Sequence, residues 1–419
     1  MIQYARPLCR GRRLSHIAVL LFCVFPTRPA VASTPYWPSG KWRTSSPEAQ
    51  GIDSGQLALI FDAVKSKRIS IHSIIVIRNG YLVLEAYFYP FTKGTVHDLA
   101  SVTKSVTSTL TGIAIDKGYI KGVDQRVLDF FPNRSSPRMD KRWNRLTVRH
   151  LLTMTSGFCE DFRSGEQQLA KMRLTTDWVQ FLLDSPFVSD PGERFAYCSC
   201  ASNLLSAVLT RATGMNALAF ANQYLYGPLG IREVIWPEDP QGNSTGWGDS
   251  YLLPVDMAKL GYLFLQQGVW NGKQVLSSGW VYETTRPQVR VSDQEDYGYK
   301  WWLLKEMPGG FEAHGRGGQR VVVLPSKQTV IVLTGIGHFE PGDVGAMLLP
   351  TIRPDEPLPE NPAANRLLSE KMQDAARASQ KQLIPPLPEL QFIDGKVGVR
   401  MTDEGVGEFD LEATFEGPI

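Results

Sequence analysis

Ser101 and Lys104 stand three residues apart in the stretch HDLASVTKSVTSTLTGIAID, positions 97–116. On a helix that spacing puts both side chains on one surface. A serine hydroxyl is a weak nucleophile until a base takes its proton, and a lysine whose burial lowers its pKa toward neutrality can be that base. A serine in the first helical turn also faces the positive end of the helix dipole, where an oxyanion is favoured. Tyr197, in PGERFAYCSCASNLLSAVLTRATG (191–214), is a second candidate. A phenol beside a lysine ammonium ionises more readily and can act as general base, then acid. The third is AHGRGGQRVVVLP (313–325), where glycines lead into an expected strand. Glycine there lets the backbone approach a ligand, offer N–H groups to an oxyanion and pair with an extended substrate. Taken singly, each has a blander reading: a chance S-x-x-K, a buried tyrosine with a satisfied hydroxyl, a loop before a strand.

These groups need elements to position them. The helix that would carry Ser101 is rich in poor helix formers: Thr103, Ser105, Thr107, Ser108, Thr109 and Thr111. Their hydroxyls compete for backbone hydrogen bonds. Val102, Val106, Leu110 and Ile113 nevertheless recur at helical spacing, so packing must hold the helix and the hydroxyl face is expected to line a reaction site. LALIFDAVKSK (57–67) has helical spacing too. SIIVIRNGYLVLEAYFY (73–89) reads as strand, tight turn at Asn79-Gly80, strand. Positions 101–285 are mostly helical and loop-like, as in LTVRHLLTMTSG, TTDWVQFLLDSP, SNLLSAVLTRATG and PVDMAKLGYLFLQQG. Strand signals return in YGYKWWLL (297–304), QRVVVLP (319–325) and TVIVLTG (329–335). Two strands early and three late imply an α+β fold: one antiparallel sheet built from both ends of the chain, flanked by helices, with a mostly helical subdomain inserted. The active site would lie at the seam.

Of the 419 residues, 43% are hydrophobic and 21% charged, with a formal net charge of +2, which gives no pull toward nucleic acid or anionic lipid. Arg6, Arg10, Arg12 and Arg13 precede IAVLLFCVF, then AVAS, so residues 1–32 read as a signal peptide cleaved after Ala32. The apolar run is too short to span a bilayer, and no stable membrane anchor is expected after cleavage. The mature protein is expected to be periplasmic or secreted, with a main domain over 33–352. Residues 353–392 read as a Pro-rich linker and a helix, and 393–419 as a tail with no assigned role. Cys9 and Cys23 leave with the signal, and Cys159, Cys198 and Cys200 remain. An odd count in an oxidising compartment suggests one bridge and one spare thiol: Cys159 to Cys198, with Cys200 the second choice of partner. No CxxC pair or HxxxH spacing supports zinc, and no metal or cofactor is expected.

The three chemical elements, in this order, resemble the serine β-lactamase and penicillin-binding superfamily. The nearest branch is that of class C β-lactamase-related hydrolases: esterases, D-amino-acid peptidases and 6-aminohexanoate-dimer hydrolases. The likeness runs over about 45–340 and includes SPEAQGID, SVTKSVTS, LTVRHLLTMTSG, PGERFAYCS, DMAKLGYLFLQQGVWNGKQVL and GRGGQRVVVLP. It implies a β-lactamase/transpeptidase-like fold and a serine hydrolase acting through an acyl-enzyme on a small ester, amide or peptide. By resemblance Ser101 is the acylated nucleophile, Lys104 its activating partner and Tyr197 the general base. Ser199 stands where the family often has Asn, to bond the substrate amide or Lys104. Lactamases of this fold carry Lys-Thr-Gly in the third element. Here His314 stands near the lysine's place, Arg316 can compensate for its charge, and Gly317 stands near the second oxyanion donor. That departure favours esters or amides over lactams. The rival readings are a penicillin-binding DD-peptidase or true β-lactamase, and a catalytically silent sensor of the same fold.

Three other features are set aside. GNSTG (242–246) matches G-x-S-x-G, but lacks a strand before and a helix after, and reads as a loop. EQQL, beginning at Glu166, resembles the deacylating glutamate segment of class A lactamases but has Ala170 where Asn is expected, and reads as surface. His150 reads as structural.

Overall fold

The computed structural model describes residues 36–336, 345, 347–353, 356–377, 396–403 and 407–414, the last two stretches as backbone only. The expected signal, 1–32, lies outside them. A nine-stranded sheet runs in the order β1-β3-β2-β13-β12-β11-β10-β9-β8. Its strands are β1 (Arg43–Thr44), β2 (Ile71–Arg78), β3 (Tyr81–Tyr87), β8 (Val289–Arg290), β9 (Glu295–Tyr297), β10 (Trp302–Leu304), β11 (Gly310–Gly315), β12 (Gln319–Leu324) and β13 (Thr329–Gly335). Short pairs β4 (His97–Asp98) with β5 (Tyr251–Leu252), and β6 (Val269–Trp270) with β7 (Lys273–Gln274), lie outside it. The sheet pairs antiparallel except for β1 with β3, which run parallel. The early hairpin and late strands therefore meet at β2 and β13, closing the sheet from both chain ends as the patterns implied.

β2 shows why its sequence is a continuous apolar run. Ile75 and Ile77 enter one hydrophobic core, and Ile74 and Val76 enter the other on the opposite face. A strand covered on both faces has no polar alternation. The helices, in chain order, are α1 (Ser54–Ser66), α2 (Val102–Asp116), α3 (Val148–Leu152), α4 (Phe162–Arg173), α5 (Trp178–Leu183), α6 (Ser199–Thr213), α7 (Ala217–Ala221), α8 (Gly227–Leu229), α9 (Pro254–Leu265), α10 (Ser278–Thr284) and α11 (Pro362–Ala376). The larger core joins α2, α6 and α9 to the sheet. The smaller one holds α1 and the Leu368 face of α11 against the other side. α11 is tied down by Asn365 Nδ2 donating to Glu48 Oε2 (2.7 Å) and by Lys371 pairing with Asp62.

Two expectations need correction. YGYKWWLL is not one strand: β9 ends at Tyr297 and β10 starts at Trp302. Between them Gly298 presses so close to Thr284 that an added Cβ would stand 2.0 Å from its carbonyl oxygen, and Lys300 adopts a left-handed φ of 66°. The hydroxyl face of α2 does not line a reaction site either. Thr107, Thr109 and Thr111 donate to carbonyls one turn back on the helix. Ser105 donates to Lys300 O (2.6 Å), Ser108 to Tyr299 O (2.7 Å), and Thr103 bonds Ser250 Oγ (2.7 Å). Ser105 and Ser108 thereby satisfy carbonyls of the irregular segment at Tyr299–Lys300, packed against a helix buried from Val102 to Ala114, where an unpaired carbonyl would be costly.

Candidate active site

Ser101 caps α2 at the end of a strained turn. Ala100 before it has a left-handed φ of 44°, its N–H held by Asp98 Oδ1 at 2.7 Å. Leu99 N–H is anchored on Ser250 O at 2.8 Å. A non-glycine residue in that conformation persists only where its surroundings enforce it. The result is a half-buried hydroxyl whose own N–H sits at the helix N-terminus, without an intrahelical partner.

One turn on, Lys104 is 1% exposed. Its Nζ lies 2.8 Å from Ser101 Oγ and donates to Trp247 O at 2.7 Å. It sits 4.9 Å from the centre of the Tyr197 ring. Burial pulls the amine down to about 7, opposed by the nearby carboxylates of Glu166 and Asp249 and assisted by Arg316. The Tyr197 phenol is a hydrogen-bonding partner of Ser101, yet burial pushes its pKa above that of a free phenol. That reverses the electrostatic expectation for Tyr197: burial, with the nearby Glu166 carboxylate, outweighs the bond with Ser101 that favours ionisation. The ring is gripped by Phe162 (centroids 5.7 Å) and stacks on Trp302 (6.2 Å).

The structure thus brings Ser101, Lys104 and Tyr197 together from segments far apart in the chain. Ser199 turns elsewhere: its Oγ donates to Glu166 Oε1 at 2.6 Å. Glu166 is accordingly not a surface residue but a half-buried one on α4 whose charge reaches Lys104, Tyr197 and Cys200. The sequence signal for it was there, in EQQL, but α4 itself was missed. Cys159 and Cys198 form a disulfide, which locks the residue after Tyr197 to the segment before α4, and Cys200 is free and buried.

On the sheet side, β11 brings its last residue to the nucleophile. A Cβ added to Gly315 would stand 3.0 Å from Ser101 N and 2.6 Å from Leu99 O. His314 precedes it, with burial and Arg320 holding its imidazole down to about 4, so it is neutral at physiological pH. Arg316 is exposed, and its charge reaches Lys104 and Asp249. Gly317 (φ 81°) lies against Gln319, Gly335 and Ile336 rather than against the Ser101 turn.

A pocket of about 430 Å³ opens beside the centre, lined by Arg173, Trp178, Glu238, Trp247 and Asp249 among others. Trp178 and Trp247 pack at 5.2 Å there, whereas Trp236 and Trp270 are core residues bonded to Thr245 O and Ser39 Oγ. GNSTG is a loop, and it serves the site by delivering the Trp247 carbonyl to Lys104. His150 accepts from Thr147 N–H (3.2 Å) in the box that caps α3.

The chain is 25% identical over 284 residues to the 6-aminohexanoate-dimer hydrolase of Paenarthrobacter ureafaciens, covering 62% of this chain and 71% of that one. It is 26% identical over 236 residues to esterase EstB of Burkholderia gladioli, covering 50% and 60%. Its fold matches that of the octameric penicillin-binding protein homologue from Pyrococcus abyssi with a TM-score of 0.58 at 19% identity, over 73% of this chain and 78% of that one. The Beta-lactamase family profile matches residues 58–346, and the chain belongs to that family, whose members are serine hydrolases.

Proposed function

We propose that this protein is an exported serine hydrolase, related to the class C β-lactamases, that cleaves an ester or amide through an acyl-enzyme. The observation that carries the reading is a desolvated amine, Lys104, 2.8 Å from the Ser101 hydroxyl. A neutral amine there takes the Ser101 proton as Oγ attacks the substrate carbonyl. The oxyanion faces the Ser101 N–H at the start of α2 and a backbone N–H at the end of β11, beside Gly315. Tyr197, kept protonated by its burial, donates to the leaving group as the tetrahedral centre collapses and is reprotonated from Lys104. Water then attacks the acyl-enzyme by the reverse proton path. A neutral histidine at 314 gives a substrate carboxylate no fixed cation on β11, which favours simple esters and amides over lactams. Export is supported by the charged-then-apolar pattern of residues 1–32 and by the Cys159–Cys198 bridge. Ser101→Ala is expected to abolish turnover of p-nitrophenyl acetate and labelling by a fluorophosphonate probe while leaving Tm unchanged. Activity retained in that variant refutes the assignment.

A further inference from the structure

Lys300 is an unusual residue in an unusual place. It is 2% exposed and has a left-handed φ of 66°, a conformation that suits glycine. Its amine meets no carboxylate among the described residues: Nζ donates to Ser202 Oγ (3.0 Å) on α6 and to Met154 Sδ (3.1 Å). Burying an amine on such weak acceptors, in a strained backbone, is unfavourable on both counts and needs a reason.

The contacts supply one. Met154 has a left-handed φ of 59° and holds the chain on both sides of Tyr197. Its carbonyl accepts from Ala196 N–H (2.8 Å), and its sulfur accepts from Cys198 N–H (3.5 Å) as well as from Lys300. Through its own carbonyl Lys300 accepts from Ser105 on α2, one turn beyond Ser101. This one residue therefore touches the nucleophile helix, the helix that follows Tyr197, and the methionine that clamps Tyr197 from either side. We propose that Lys300 is a positioning residue that fixes the Tyr197 segment against Ser101 and Lys104. The inference rests on the acyl-enzyme reading above.

Burial, and after it the proximity of Lys104, press the Lys300 amine well below its ordinary range. The titratable groups that act on Lys104 remain Glu166 on α4, Asp249, Cys200 on α6 and Arg316. Lys300 is not among them, so removing its amine should slow chemistry without moving the pH at which Lys104 titrates.

The test compares wild type, K300M, K300G, K300Q and S101A by kcat and KM on p-nitrophenyl acetate, fluorophosphonate labelling rate, pH profile and Tm. K300G relieves the left-handed backbone, so the amine can be removed even if K300M does not fold. Loss of the amine should lower kcat and the labelling rate about tenfold in K300M and K300G with KM within about twofold, because Lys300 touches no substrate. The acid limb of the profile should stay in place. K300Q keeps a donor toward Ser202 and should recover to within about threefold of wild type. Wild-type kcat in K300M or K300G overturns the proposal, as does a loss that K300Q fails to rescue or that follows Tm alone. An active S101A, or a wild type that the probe does not label, defeats the acyl-enzyme reading itself. An inactive S101A beside a fully active K300M removes only the role of Lys300.

Discussion

The Ser199 hydroxyl donates to the Glu166 carboxylate across 2.6 Å, joining the first turn of α6, two residues after Tyr197, to α4. This contact places a negative charge where it acts on Lys104, favouring the ammonium, whereas Arg316 acts in the opposite sense. If Lys104 is the base, kcat/KM must rise with pH through about 7 as the amine loses its proton. Glu166→Gln keeps the bond from Ser199 but removes the charge, so the acid limb should move to lower pH. Arg316→Ala should move it to higher pH. Each shift is expected to be on the order of half a pH unit, and the opposite signs are the check. Parallel shifts, or none, would separate the limb from Lys104.

The same desolvation has a stability signature. In the unfolded chain a lysine titrates near its ordinary value of 10.5, in the folded protein at about 7. Between these values the unfolded state binds more protons, so stability contributed by this site rises with pH across the window and is lowest below pH 7. Lys104→Met removes the penalty while filling similar space. The variant should be inactive yet more stable than wild type at pH 7, by roughly 2–4 kcal/mol after relaxation. The gain should shrink toward pH 10. Urea unfolding at pH 6, 7, 9 and 10 measures it, and a destabilised, pH-independent K104M would show that Lys104 is not desolvated as described.

Much of this was legible in the residues. The Asn79-Gly80 hairpin, the late strands β12 and β13, and the helices bearing LALIFDAVKSK and SNLLSAVLTRATG follow from local pattern, because each is a long run whose period matches its element. The failures came where tertiary contact overrides pattern. α4 is polar overall and buries Gly165, Leu169 and Met172 alone, so FRSGEQQLAKMR offers too few apolar residues to announce a helix, and Glu166 is misplaced with it. The break at Gly298–Trp301 is dictated by Thr284, far away in sequence. The serines and threonines of α2 looked like a reactive face because sequence shows hydroxyls but not the carbonyls of Tyr299 and Lys300 that receive them. The sign of the Tyr197 shift is likewise invisible in sequence, since it depends on how deeply the phenol itself is buried and on the nearby Glu166 carboxylate.

The disulfide should matter twice. Cys159 and Cys198 are 39 residues apart, and closing a loop of that length in the unfolded chain is worth about 2–4 kcal/mol. Cys198 is also the N-cap of α6, directly after Tyr197. Cys159→Ser, or reduction under native conditions, should lower the denaturant midpoint and also slow fluorophosphonate labelling of Ser101. Cys200 should resist thiol reagents until the protein unfolds, being buried with its thiol pushed up to about 12. A reduced protein that labels at the wild-type rate would show that the bridge serves stability alone.

Gly315 offers the sharpest test of the sheet side of the site. Its Cβ position lies 2.6 Å from Leu99 O, 3.0 Å from Ser101 N and 3.1 Å from Ala100 Cβ, so an alanine meets the turn that presents the nucleophile rather than a side chain able to swing away. That turn is already held at φ 44° through Ala100 and has little freedom to yield. Gly315→Ala should therefore force β11 and Ser101 apart. A displacement approaching 1 Å in a reacting constellation costs about a hundredfold in rate, and kcat should fall by that order. Gly279→Ala is the control: it lies within α10, nothing stands within 4 Å of its Cβ position, and the helix should gain slightly. If G315A turns over p-nitrophenyl acetate as fast as G279A, the end of β11 is not a wall of the reaction site, and the oxyanion must be held elsewhere.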